Sequence, residues 1–264
     1  IGAASAFIEA TLAQVYKVPD EDGGFRGGPA YYITKGLNQK WLGILFAILI
    51  TVTFAFVFNT VQSNTIAESL KTQYSISPVV TGIILAVLTG IIIFGGVRSI
   101  AKISSVIVPF MAVIYIGLVF VILIINYDQI IPMITTIVTS AFGFEQATGG
   151  AVGAAILQGI KRGLFSNEAG MGSAPNAAAT AAVPHPVKQG FVQAFSVYVD
   201  TLFVCSATGF MIMMTGCYNT YYEGSQKVIV ENMPQLGIPE IGPAYTQNAV
   251  DTLVPGFGSA FVAV

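Results

Sequence analysis

Long apolar runs separated by short polar stretches organise this chain. Trp41 to about Leu70, Val79 to Val97, Ile103 to Ile125 and Gly190 to Thr215 are almost free of charge. Each is long enough to cross a hydrocarbon core of about 30 Å as a helix. Ile1 to Tyr16 reads as the tail of a further membrane helix, and the last residues begin another. Polar connections fall between these runs. Lys17 to about Lys40 contains Asp20-Glu21-Asp22 and two Gly-Gly pairs before Pro29, which mark turns. Lys71 to Pro78 is a short turn, Arg98 to Lys102 closes a hairpin, and Asn126 to Thr148 is a longer connection with a short apolar stretch. Pro184-His185-Pro186 with Lys188 forms another connection, and Cys217 to about Gln247 reads as a polar loop.

One apolar segment does not fit this scheme. A helix from about Gly149 to Val183 would be about 50 Å long, far more than the bilayer needs. Its middle reads Gly163-Leu164-Phe165-Ser166-Asn167-Glu168-Ala169-Gly170-Met171-Gly172-Ser173-Ala174-Pro175, and it is expected to unwind there. Non-helical backbone at membrane depth is tolerated only where protein or a water-filled cavity covers it, and paired half-helices aimed at a solute are a recurring transporter device. The plainer alternative is a Gly/Pro kink in a passive helix.

Composition agrees with a polytopic helical membrane protein: 54% of residues are hydrophobic, 9% are charged and the mean hydropathy is +0.75, against about a quarter charged in soluble domains. A net charge of -2 without any basic run excludes nucleic acid as a partner. Cys205 and Cys217 lack metal-ligand spacing, and His185 lies in its loop without a second ligand nearby. Alternating the spans gathers Lys17, Arg26, Lys35, Lys40, Arg98, Lys102 and Lys188 on one side, against Lys71 and Lys227 on the other. The first side is therefore expected to face the cytoplasm, with the broken helix running from outside to inside. Because Ile1 opens in mid-helix and Phe257 to Val264 stops in an apolar run, residues 1–264 are expected to be one transmembrane transport domain truncated at both ends.

The segment GLFSNEAGMGSAPNAAATA, residues 163 to 181, together with GGFRGGPAYYI, residues 23 to 33, closely resembles the alanine or glycine:cation symporter family. The resemblance covers the whole chain. It implies an all-α bundle with the inverted-repeat fold of the leucine-type sodium symporters and a discontinuous helix, of which this chain is a partial copy from about helix 2 to the start of helix 8. It also implies sodium-coupled uptake of alanine or glycine across a bacterial or archaeal cell membrane. The implied sodium ligands, carbonyls of helix one and hydroxyls of helix eight, fall largely outside this chain, so none is assigned here.

At the break, the outer half-helix is expected to end near Gly163 to Phe165, leaving carbonyls suited to a substrate ammonium group. By the family fold, the carboxylate would meet amides of the absent first helix. The inner half is expected to restart near Ser173, with Pro175 in its first turn. Phe165 would cover the solute as an aromatic lid, or pack as ordinary core. Ser166 and Asn167 can turn side-chain oxygens to a solute or to freed backbone amides. Glu168 is a cation or proton carrier or, more simply, a local cap.

Asn59, Gln62, Ser63 and Asn64 crowd amides onto the helix from Trp41. In this fold Gln62 is placed to hydrogen-bond the substrate, whereas interhelical bonding suits the asparagines. Glu9, Lys161, Arg162 and Asp200 are ionisable groups in apolar segments, expected to pair, Asp200 with Lys161 or Arg162. The competing classes are a proton-coupled carrier and a channel, although no repeated pore loop is present. An intramembrane enzyme has no nucleophile, base or metal constellation to draw on.

Overall fold

The computed structural model describes residues 1–21, 23–142, 159–161, 163–221, 228–233 and 243–263. Helix dominates, as it must where apolar runs have to satisfy their own peptide groups. The helices are α1 (Gly2–Val15), α2 (Pro29–Gly36), α3 (Lys40–Val52), α4 (Asn59–Tyr74), α5 (Pro78–Phe94), α6 (Gly96–Ile125) and α7 (Ile130–Phe142). They continue with α8 (Ala174–Thr180), α9 (Pro186–Val199), α10 (Ser206–Thr215), α11 (Ala244–Asp251) and α12 (Gly258–Ala263). Short antiparallel hairpins join β1 (Val18–Pro19) to β2 (Phe25–Arg26) and β3 (Asn219–Tyr221) to β4 (Val228–Glu231). Among the described residues three helices are long and apolar enough to cross a membrane: Lys40–Lys71, Ser99–Ile125 and Pro186–Thr215.

The connections hold more structure than their polarity suggests. The stretch after Lys17 contains the β1–β2 hairpin, closed by an Arg26–Asp20 ion pair at 2.7 Å, and then α2, whose first turn accommodates Pro29. Arg98 to Lys102 lie within α6 instead of closing a hairpin, because Gly95 and Gly96, the latter at φ +73°, make the whole turn. Likewise α7 occupies most of the expected connection after Asn126.

The contacts divide the chain into two compact units. The first comprises Ile1–Phe58 and Thr139–Cys205. Here α1 lies between α8 and α9, burying Ala6, Ala10 and Ala13 at helical spacing. Small side chains let the backbones approach closely, which is what drives helix association where lipid removes the hydrophobic contrast. Phe7 meets Phe191 of α9 edge-on at 5.1 Å.

The second unit comprises Asn59–Val138 and Ser206–Val264. Its core gathers Val119 and Ile122 of α6, Met211 of α10 and Ala249 and Val250 of α11. Asn219 is buried and pairs both ways with Met233, accepting from its N–H at 2.8 Å and donating to its carbonyl at 2.9 Å. On α5, Val79, Ile83, Val87 and Ile91 form an exposed apolar stripe, with Phe94 95% exposed at its end. Such a face suits lipid and would be a liability in water.

Gly28 has φ +113°, and a Cβ there would collide with the Asn176 side chain of α8. Gly28→Ala is therefore expected to lower stability by about 1–3 kcal/mol. Gly24→Ala, in open space, is expected to stay within about 0.5 kcal/mol of the parent. Thermal unfolding of the two variants in detergent checks this contrast.

Candidate functional site at the helix break

Residues 163–167 are helical, residues 168–173 turn and bend, and the chain re-enters helix at Ala174. Glu168, Gly170 and Gly172 carry φ of +50°, +84° and +81°. The glycines adopt that region freely, whereas Glu168 bears a strain of about 1–2 kcal/mol. Its carboxylate accepts the Ser173 hydroxyl, stapling one side of the break to the other. At Gly172 an added Cβ would lie 2.5 Å from the Phe46 ring of α3 and 2.9 Å from Pro29. The turn is therefore pressed between α3 and the first turn of α2.

The break leaves peptide groups without helical partners, and side chains of α1 meet them. Glu9 accepts from the Gly170 N–H at 2.9 Å and also from the Gly172 N–H. At the other end of α8, the buried Gln14 amide donates to the carbonyls of Ala178 at 2.5 Å and Ala181 at 2.9 Å. Lys17 donates to the Ala181 carbonyl at 2.9 Å and to the Gln14 side-chain Oε1 at 2.6 Å, with its ammonium 3.9 Å from the centre of the Phe25 ring. Asn176 donates to the Gly172 carbonyl at 2.9 Å.

Several expectations change here. The outer helix runs on to residue 167. The Gly163 carbonyl already accepts the Asn167 amide at 2.7 Å, and the Phe165 carbonyl accepts the Glu168 N–H at 3.3 Å. The inner helix begins where Ser173 and Pro175 suggested. Glu9 caps backbone instead of joining an ion pair, because two freed amides lie within its reach. Asp200 does not pair with Lys161, which is exposed; among the described residues Arg26–Asp20 is the one ion pair. Arg162 and residues 149–158 lie outside the described residues. His185 caps α9, accepting the Val187 N–H at 3.3 Å.

Two π-helical turns face the break. Thr53–Phe58 joins α3 to α4, and Asp200–Cys205 joins α9 to α10. A π turn inserts a residue into the helical ladder and is frequent at functional sites. In the first, Phe54 stacks on Phe58 at 4.4 Å, and Phe58 on Phe165 at 5.3 Å. In the second, the Asp200 carboxylate accepts the Ser166 hydroxyl at 2.6 Å and the Cys205 thiol at 3.6 Å. Asn167 donates to Thr201 at 3.0 Å, while its buried Oδ1 is without a partner among the described residues. A cleft of about 330 Å³ opens beside these groups, lined by Gly2, Gly163, Asn167, Tyr198 and Thr201. That volume lies at the small end of solute sites.

Gly163 and Asn167 line the cleft with Thr201, Ser166 bonds Asp200, and Phe165 stacks on Phe58. Gln62 is exposed on α4 and belongs to the second unit. Sequence reasoning missed Gln14, Lys17 and Thr201 as partners of the break. A buried amide in an alanine-rich helix was the available signal for Gln14. Outside the spans, burial lowers the basicity of Lys17, and burial followed by the charge of Glu9 pushes the Tyr32 phenol up to about 12. Tyr32 therefore stays protonated throughout the physiological range.

Glu9→Ala leaves two peptide N–H groups unmet and is expected to cost about 1–3 kcal/mol. Glu9→Gln, which keeps an acceptor oxygen, is expected to recover most of that loss. Comparing the two unfolding temperatures against the parent tests the capping role.

Helices long and apolar enough to cross a membrane and a lipid-suited helix face define a helical membrane protein. The profile of the sodium:alanine symporter family matches residues 1–264, and the chain belongs to that family. It is 53% identical over its whole length to a putative sodium/proton-dependent alanine carrier protein of Bacillus subtilis, covering 54% of that protein. It is 50% identical over its whole length to a probable sodium/glutamine symporter of the same organism, covering 52% of it. Over 81% of the chain it is 42% identical to a sodium/alanine symporter of Methanococcus maripaludis, covering 48% of it. The chain thus spans about half the length of the curated relatives it matches.

Proposed function

We propose that the chain is part of a single transport domain with the inverted-repeat symporter fold, a carrier that brings small neutral amino acids, alanine and glycine, into the cell with sodium. Transport follows alternating access around the break, which runs from outside to inside across the cell membrane. The observation that carries this reading is the break itself: its backbone is satisfied by α1 while the Asn167 Oδ1 beside the cleft stays open. An amide oxygen with no partner among the described residues suits a substrate ammonium group, and the Phe165 carbonyl keeps a second lone pair for the same purpose. Phe165, held from behind by Phe58, is the aromatic cover, and Gln62 supplies a further hydrogen bond to the solute. Family membership supports the substrate class and the sodium coupling. A relative's name that includes both sodium and proton favours a second coupling ion as the alternative.

The test is uptake of radiolabelled alanine and glycine into proteoliposomes holding the full-length protein, with and without an inward sodium gradient. Sodium-dependent accumulation is expected. Asn167→Ala and Phe165→Ala are each expected to lower it by roughly tenfold or more, the effect of losing about 1.4 kcal/mol of binding. Uptake of glutamine in place of alanine would overturn the substrate assignment, and accumulation indifferent to sodium would overturn the coupling.

A further inference from the structure

Two cations of the first unit are held by internal partners. Arg26 pairs with Asp20 at 2.7 Å, and Lys17 donates to the Ala181 carbonyl and the Gln14 side chain. Lys35 and Lys40 differ: both are exposed, and among the described residues neither reaches a carboxylate. They flank the turn between α2 and α3, where Asn38 at φ +54° reverses the chain. Behind the turn α2 crosses the first turns of α3 so closely that a Cβ on Gly43 would collide with the Thr34 hydroxyl and the Ala30 carbonyl. Lys40 and Trp41 open the membrane-capable stretch Lys40–Lys71. That crossing therefore holds the turn at the level where hydrocarbon gives way to headgroups.

The turn also carries apolar surface. Leu37 is 62% exposed and Trp41 65%, and the Trp41 indole N–H donates to Gln39 Oε1 at 3.0 Å, which ties the ring to the turn. From Trp41 an exposed apolar stripe continues along α3 through Ile44, Ile48 and Val52 at helical spacing, so the face that bears the indole is the face that meets lipid. An indole suits that level because its ring is apolar and its N–H polar. We infer that Lys35, Leu37, Lys40 and Trp41 form a binding site for an anionic phospholipid, its phosphodiester between the two ammonium groups and its upper acyl chain against Leu37 and Trp41. Charge selects the headgroup: phosphatidylglycerol presents net negative charge to the lysines, whereas phosphatidylcholine presents a cation of its own beside the phosphate. The inference needs only a chain embedded in a bilayer and stands whatever solute is carried.

The test reconstitutes the full-length protein in phosphatidylcholine vesicles that hold an equal fraction of either brominated phosphatidylglycerol or brominated phosphatidylcholine, and reads tryptophan quenching. Subtracting the signal of Trp41→Phe isolates the share of Trp41. Brominated phosphatidylglycerol is expected to occupy the site about fivefold or more in preference to brominated phosphatidylcholine, and Lys35→Gln combined with Lys40→Gln to bring that ratio close to one. Lys188→Gln, which removes a cation from the first turn of α9, is expected to leave the ratio unchanged. High salt is expected to lower it in the parent, since both lysines are exposed. Equal quenching by the two lipids, or a Trp41 that neither lipid quenches, overturns the inference. So does a ratio that survives the double variant, or one that falls as far in Lys188→Gln, which would mean a diffuse field instead of a site. Where the double variant yields no folded protein, the salt series on the parent decides, and a ratio indifferent to salt overturns the site. A ratio that sodium phosphate abolishes while sodium chloride of the same ionic strength does not would overturn the lipid assignment in favour of free phosphate.

Discussion

A peptide group without a partner costs several kcal/mol in hydrocarbon, and an interrupted helix creates such groups on both of its sides. The first unit is arranged around that constraint. Glu9 meets the amides of the turn, and Gln14 with Lys17 meets the last carbonyls of α8. All three stand on one side of α1 or just beyond its end. The small residues Ala6, Ala10 and Ala13 let α1 lie close enough for these side chains to reach. Close helix packing and polar satisfaction are therefore one arrangement: bulkier residues along α1 would push its carboxylate and amide away from the groups they serve.

The same unit carries much irregular backbone around the break. Two π turns, three left-handed residues and an open amide oxygen all lie around Phe165, Ser166 and Asn167. Each irregularity re-aims side chains that a regular helix would carry elsewhere. The π turn from Thr53 brings Phe58 against Phe165, and that from Asp200 brings its carboxylate to Ser166 and its Thr201 to Asn167. The second unit contrasts with this. Its core of Ile122, Met211 and Val250 is ordinary apolar packing, and its lipid-suited α5 stripe needs no polar accommodation.

Much of the site was legible along the chain, because glycine and proline act locally. Gly170, Gly172 and Pro175 announce a turn and a helix start from their own conformational limits, and the structure puts both there. Where the outer half-helix ends was misjudged by a few residues, since Gly163 is compatible with helix and only the Asn167 side chain, folding back onto its carbonyl, shows that the helix continues. The ionisable residues were harder still. Glu9 and Asp200 both look like members of salt bridges when read as charges in apolar runs. Their real partners are backbone amides and a hydroxyl that carry no formal charge and leave no compositional mark.

The sequence by itself determined that the chain is helical, membrane-spanning and broken once in mid-segment, since those features follow from apolar run length and from local φ preferences. Tertiary structure alone decided what fills the break and what faces it. Gln14 meets Ala181 across 167 residues of chain and Ser166 meets Asp200 across 34, separations over which no local propensity acts. The two π turns belong to the same category. Their sequences, TFAFVF and DTLFVC, contain neither glycine nor proline, so the widening of those helices is not written in them. It accompanies the contacts that Phe58, Asp200 and Thr201 make with the broken helix.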